Sequence, residues 1–307
     1  MSNAEPTSLH QRFYAMPQVL LTLTTLFWAG NAIAGRLAIG EVSPFTVVFL
    51  RWIIVTLMLW PIYGREIIAE WPVLRPRLKS IFFMAALGFT GFNALFYIAA
   101  HTTTAVNIGI IQGSMPVFVL LGAFAAYRTR VTGPQILGVA LTIVGVTVVA
   151  TKGAPHRLLQ VTPNPGDLIM LVACMLYAFY AVALQKRPAI SGQAFFTMLA
   201  PVAAITALPL AAWEATTADF AFPTAEGWMI TLYIALFPSC LAQLFFLRGV
   251  DLIGPGRAGV YINLVPIFAA ILGVGLLGEE FGLYHGAALA LVIAGIMLAQ
   301  RAPKTGW

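Results

Sequence analysis

The sequence predicts an all-α polytopic membrane protein, with ten transmembrane helices forming two inverted five-helix repeats. Three observations predict it. Hydrophobic residues make up 60% of the 307 and charged ones only 9%, against about 25% charged in a soluble domain. Apolar runs of about 20 residues, the length that crosses a bilayer, recur between breaks of Gly, Pro and charge. The landmarks of Thr104 to Ala150 return in the same order between Gly254 and Gln300.

The spans read in order as Pro17–Leu37, Pro44–Tyr63, Lys79–Ala99, Thr104–Tyr127, Thr132–Ala150, Asp167–Leu184, Ala194–Trp213, Trp228–Leu247, Ala258–Leu277 and Gly282–Gln300. The first lacks a charged leader and a cleavage pattern, so it reads as a retained span. The longest break, Gly64 to Leu78, is basic and polar. Trp60, Trp71 and Trp228 sit near span ends and read as interfacial anchors. The two repeats occupy residues 1–151 and 165–301.

Charge orients the spans. Lys and Arg concentrate on the cytoplasmic side of membrane proteins. With the N-terminus inside, the inner segments hold Arg12, Arg65, Arg75, Arg77, Lys79, Arg128, Arg130, Lys186, Arg187, Arg248, Arg257, Arg301 and Lys304. The outer segments hold only Arg36, Lys152 and Arg157. Both termini are therefore expected in the cytoplasm. Five crossings per repeat make the second enter from the opposite side, about a pseudo-twofold axis in the membrane plane. In the first repeat Asn107-Ile108-Gly109, Pro116, Phe118, the break Tyr127-Arg128-Thr129-Arg130 and Gly145 succeed one another. In the second the order is Gly254 to Gly259, Pro266, Phe268, the break Leu277-Gly278-Glu279-Glu280 and Gly295. Inversion puts the basic break inside and the acidic one outside.

These residues carry a family resemblance. Leu26-Phe27-Trp28-Ala29-Gly30-Asn31, Pro44, Phe49-Leu50-Arg51-Trp52, Val265-Pro266-Ile267-Phe268 and Leu277-Gly278-Glu279-Glu280 resemble the EamA-type transporters of the drug/metabolite transporter superfamily. The resemblance covers about Pro17 to Gln300; Thr129 departs from it, standing where an acid is expected. It implies a multi-pass protein of a bacterial inner membrane, with a central cavity opened alternately to each side. The aromatic content is similar to that of the family's aromatic-amino-acid exporters, which points to export of aromatic or other neutral amino acids and related metabolites. Drug-like organic cations are the alternative substrates, and sugar phosphates or nucleotide-sugars a further one.

Polar side chains inside spans are costly and need a reason. Asn93, Tyr97 and His101 recur at i, i+4, i+8 on one helical face. Trp28 and Asn31 correspond, 149 residues on, to Tyr177 and Tyr180. Ser239 and Gln243 are four apart, Gln112 lies near Asn107 and Ser114, and Tyr261 and Asn263 precede Pro266. One reading is interhelical hydrogen bonding; the other, adopted for the set, is a substrate cavity. Pro116 and Pro266 lack an N–H and release the carbonyls of Gln112 and Ile262, either as plain kinks or as acceptors for a substrate ammonium group alongside Asn31, Gln112 and Asn263. Arg51 is expected to bond span-end carbonyls or Glu41; binding a substrate carboxylate is its functional alternative.

No Asp or Glu lies mid-span, and His101 is the expected titratable candidate, so transport is expected to be facilitated and not carboxylate-coupled. Cys174 and Cys240 read as buried thiols. No metal or cofactor motif is present, and no nucleophile–base spacing supports a membrane enzyme. No basic patch with interleaved aromatics suggests nucleic acid. The expected partners are a small-molecule substrate and the lipid bilayer, and one chain suffices for a pathway. Membrane-impermeant labelling of cysteines placed at both ends of the chain should find them on one side. Labelling on opposite sides would overturn the ten-span reading.

Overall fold

A computed structural model describes residues 9–128, 131–154 and 164–300. Thr129, Arg130, Arg157, Arg301 and Lys304 of the sequence argument lie outside them. Among the described residues a short helix, Leu9–Tyr14, precedes ten longer helices. These are α1 Pro17–Leu37, α2 Pro44–Ala69, α3 Trp71–Ala100, α4 Ala105–Tyr127, α5 Gly133–Ala150, α6 Pro165–Lys186, α7 Gly192–Glu214, α8 Ala225–Ile253, α9 Arg257–Leu277 and α10 Leu283–Gln300. The eight from α2 to α9 are each long and apolar enough to cross a membrane. In α1, polar residues such as Gln18, Thr22, Thr24, Thr25, Asn31 and Arg36 dilute the apolar character. Among the described residues there is no strand. The protein is an all-helical polytopic membrane protein.

Three spans outrun their expected bounds. α2 continues past Tyr63 to Ala69, α3 begins at Trp71, and α8 runs from Ala225 to Ile253. The supposed loop Gly64 to Leu78 is thus mostly helical. Arg65 and Glu66 favour helix, and Gly64 packs on the Trp60 ring. Pro72 and Pro76 then open a short turn and a 3-10 turn, Arg75–Arg77, without losing an internal hydrogen bond. Trp60, Trp71 and Trp228 are exposed, as anchors must be.

Corresponding elements recur at a nearly constant offset. Wide π-helical turns interrupt α3 at Ala86–Gly91 and α8 at Ala235–Leu241. α4 and α9 are each broken, with second segments Met115–Tyr127 and Val265–Leu277. Each break precedes its proline, Pro116 or Pro266. Both segments end on a left-handed residue, Arg128 at φ 54° and Gly278 at φ 65°. Glycine meets that conformation without strain, whereas Arg128 accepts a cost of about 1 kcal/mol.

The principal packing runs between the halves. α5 lies along α10, α2 along α7, α1 against α8 and α9, and α4 against α6 and α9. At the α5–α10 crossing, backbones touch. A Cβ on Gly138 would sit 2.4 Å from the Gly295 carbonyl oxygen, and one on Gly295 would sit 2.4 Å from Thr142 Oγ1. Small residues let van der Waals contact replace the hydrophobic effect that lipid cannot supply. Gly295→Ala should therefore destabilise the fold by about 1–3 kcal/mol, read as a lower Tm in detergent. Gly275→Ala, where an added Cβ meets open space, should leave Tm within about 0.5 kcal/mol equivalent.

Candidate functional site

A cavity of about 760 Å³ lies between the halves. Its inner wall is aromatic and amide-bearing: Trp28, Trp52, Phe89, Phe92, Tyr177 and Phe196 with Asn31, Asn93, Gln112 and Asn263. Both helix-breaking prolines line it. It extends to Gln135, Gln185 and Ala299, at the ends of α5, α6 and α10 that lie on the side of Arg128 and Lys186. The lining thus reaches the basic side of the bundle. His285, the residue 150 positions after Gln135, is absent from the wall and sits at the opposite end of the bundle, bonded to Asn107.

Among the described residues, Arg51 is the single charged one lining the cavity, and it is 4% exposed. Its Nε and Nη2 donate to Ser239 Oγ at 3.0 and 2.7 Å. Its Nη1 donates to Asn93 Oδ1 at 2.5 Å and to the Tyr97 hydroxyl at 2.8 Å. The Tyr97 hydroxyl in turn donates to Asn31 Oδ1 at 2.8 Å. The expected partners, span-end carbonyls or Glu41, are not the ones it has. Glu41 instead accepts from the Thr224 hydroxyl. Among the described residues no carboxylate pairs with Arg51.

The π turns explain this placement. Pro238 has no N–H for the Ile234 carbonyl four residues back. Ser239 Oγ donates to that carbonyl at 2.5 Å, which leaves both oxygen lone pairs facing Arg51. In α3, two residues past the matching turn, Asn93 Nδ2 donates to the carbonyl of Phe89 within it at 2.6 Å, so its Oδ1 is turned to the guanidinium. Each half thus supplies an acceptor oriented by a carbonyl of a widened turn. π turns of this kind gather at functional positions.

The opposite, acidic end is shut by carboxylates seated on helix N-termini. Glu279 accepts from the Ala105 and Val106 amides at 2.8 and 2.9 Å, with Arg36 Nε at 3.8 Å. Glu214 accepts from the Phe45 and Thr46 amides at 2.9 and 2.7 Å. Such pairing with unsatisfied amides and the helix dipole is favourable. Beside Glu279, Thr103 donates to the buried Asp167, and Asn107 Nδ2 lies 3.3 Å from the same carboxylate. Asn107 Oδ1 meets His285 Nε2 at 3.2 Å. His101 is therefore not the sole titratable candidate: Asp167 and His285 are more deeply buried. Partial desolvation and then Arg36 lower the His101 pKa, so His101 is neutral near pH 7.

Of the residues singled out from sequence, Trp28, Asn31, Asn93, Gln112, Tyr177, Ser239, Gln243 and Asn263 line the cavity. Tyr97 stands behind Arg51, and Tyr180 packs behind Tyr177 and Phe89 with ring centroids 5.5 and 5.0 Å away. His101 and Tyr261 lie off the wall. Sequence reasoning missed Trp52, Phe89, Phe92 and Phe196, because apolar aromatic residues in an apolar span carry no pattern. Pro238 was the overlooked signal for Ser239. Cys174 and Cys240 are free and buried.

A multi-spanning bundle of two matching halves around a cavity that reaches one face has the architecture of a small-molecule transporter. Residues 16–151 and 164–300 match the EamA-like transporter family, and the chain belongs to that family. It is similar to the uncharacterized transporter YetK of Bacillus subtilis, at 26% identity over 87% of this chain and 82% of that one. A similar match is to the uncharacterized inner membrane transporter YedA of Escherichia coli, 22% identical over 89% of this chain and 87% of its relative. A transporter of Archaeoglobus fulgidus, also uncharacterized, is 26% identical over 91% and 96%. A solved crystal structure shares the fold at a TM-score of 0.61 and 17% identity, over 92% of this chain and 96% of that one.

The Glu279 seat should control which end opens. In a background lacking Cys174 and Cys240, a cysteine at Gln112 should react faster from the acidic side once Glu279→Gln is introduced. The expected gain is about 2–30-fold, the equivalent of 0.5–2 kcal/mol of helix-terminus interaction. An unchanged rate would remove Glu279 from the gate.

Proposed function

We propose that this transporter exports neutral amino acids, aromatic ones in particular, and related metabolites across a bacterial inner membrane by alternating access. The observation that supports this best is the cavity wall. Six aromatic rings stand beside uncharged amides and two helix breaks. Both termini are cytoplasmic in this reading, and the cavity faces the cytoplasm, ready to load. The single chain is the working unit.

In this reading the rings stack on an apolar side chain, each face adding cation–π attraction of about 0.5–2 kcal/mol for a substrate ammonium group. Gln112 Oε1 is a buried acceptor without a partner among the described residues, and it serves as one seat for that group. The carbonyl of Gln112, four residues before Pro116, serves as another; that of Ile262, expected to be free as well, instead accepts from the Val265 amide in a 3-10 turn. Among the described residues the lining contains no carboxylate, which disfavours drug-like cations, and a single cation, which disfavours sugar phosphates. Without a carboxylate in the cavity the solute runs down its own gradient.

Counterflow in proteoliposomes tests the proposal. Labelled phenylalanine should be taken up and be displaced by aromatic amino acids, and not by sugar phosphates or quaternary amines. The flux should persist with an uncoupler while the solute gradient is held fixed. Displacement by the amines alone, or collapse with the uncoupler, would overturn the substrate or the coupling, respectively.

A further inference from the structure

We infer that Arg51 and Trp52 form the site that receives the substrate's carboxylate, which makes this a carrier of carboxylate-bearing solutes. The inference rests on the cavity proposed above as the substrate pathway and adds the chemical group that it recognises.

A guanidinium has five N–H donors. Ser239, Asn93 and Tyr97 take four of them. One Nη2 donor has no partner among the described residues, and no carboxylate balances the charge. A buried cation without a counter-ion is a strained arrangement unless an anion completes it. The neighbouring residue supplies an independent sign. Trp52 is 3% exposed, lines the same cavity, and its Nε1 donor has no partner among the described residues. Its ring cannot turn freely to find one. It is stacked on Phe89 at 4.7 Å and 8° between planes, with Arg51 Cζ 5.0 Å from its own centroid.

Two donors on adjacent residues, one of them charged, are thus held rigid and unsatisfied in a cavity with no acid among its described lining residues. A carboxylate has the charge and the two oxygens that this pair lacks. A substrate bearing only an amine would leave the cation unbalanced and add a second. A phosphate dianion would meet only one positive charge. The Ser239 and Asn93 contacts come from α8 and α3, and both side chains also bond a carbonyl at a widened turn, so a ligand bound to Arg51 acts on both halves.

The test uses the purified full-length protein and three probes of one shape: phenylalanine, 3-phenylpropionate, which lacks the amine, and phenethylamine, which lacks the carboxylate. Binding is read as the ligand-dependent rise in Tm. Both carboxylates are expected to bind at least about 10-fold more tightly than phenethylamine, and Arg51→Gln should remove that advantage. Arg51→Lys, which keeps the charge, should retain part of it. Trp52→Phe guards against misfolding at position 51: it deletes one N–H and should weaken both carboxylates about 2–10-fold while leaving phenethylamine unchanged. Failure of both carboxylates to bind, equal binding of phenethylamine, or uniform weakening of all three by either variant would overturn the inference. Binding of 3-phenylpropionate without phenylalanine would discard the amino-acid reading and leave the carboxylate site standing.

Discussion

The structure turns on one buried guanidinium. A cation buried within a membrane-spanning bundle is tolerated only when its donors are satisfied and its charge is used. Arg51 comes close to the first condition through four hydrogen bonds, drawn from α3 and α8. Those bonds explain features that otherwise look unrelated. The π turn at Ala235–Leu241 and Pro238 free a carbonyl that orients Ser239. Asn93 is oriented by its bond back to Phe89, and Tyr97 is fixed between Arg51 and Asn31. Removing Arg51 would take a partner from each of these polar groups inside an apolar bundle.

The two ends of the pathway differ in chemistry although the halves correspond in fold. Left-handed caps at Arg128 and Gly278 occupy equivalent places. Directly after Gly278 the chain carries Glu279, and its carboxylate sits on the amide end of α4. A charge of the opposite sign at Arg128 has no such use for a helix N-terminus. One end is therefore held by carboxylates on dipoles. At the other, side chains such as Gln185 line an opening. The matching halves supply the frame, and the sign of a few charges distinguishes its two ends.

The fold was legible in the sequence because a bilayer imposes it. Composition, run length and the offset between Pro116 and Pro266 suffice for ten helices in two matching sets. The ends of α2, α3 and α8 were less legible, since helices outlast the hydrocarbon layer and their polar continuations look like loops. Among site residues, Asn31, Asn93, Gln112, Ser239 and Asn263 announced themselves by being polar where polarity is costly. Trp52 and Phe196 did not, because nothing in an apolar run separates a wall ring from a packing ring. Arg51 was visible, and only its partners showed its role. His101 shares a helical face with Asn93 and Tyr97, yet it lies two turns beyond Asn93, the only one of the three that lines the cavity. Periodicity reports direction around a helix and not depth along it.

The pairing of α5 with α10 and of α2 with α7 has a consequence for how such a chain could arise. Neither set of five helices keeps a core to itself, because the tightest seams all join one set to the other. A polypeptide half this length would be left with bare grooved flanks, and a second copy lying upside down beside it would be the natural cover. Duplication and fusion would then make permanent a partnership that two separate copies had to find by diffusion.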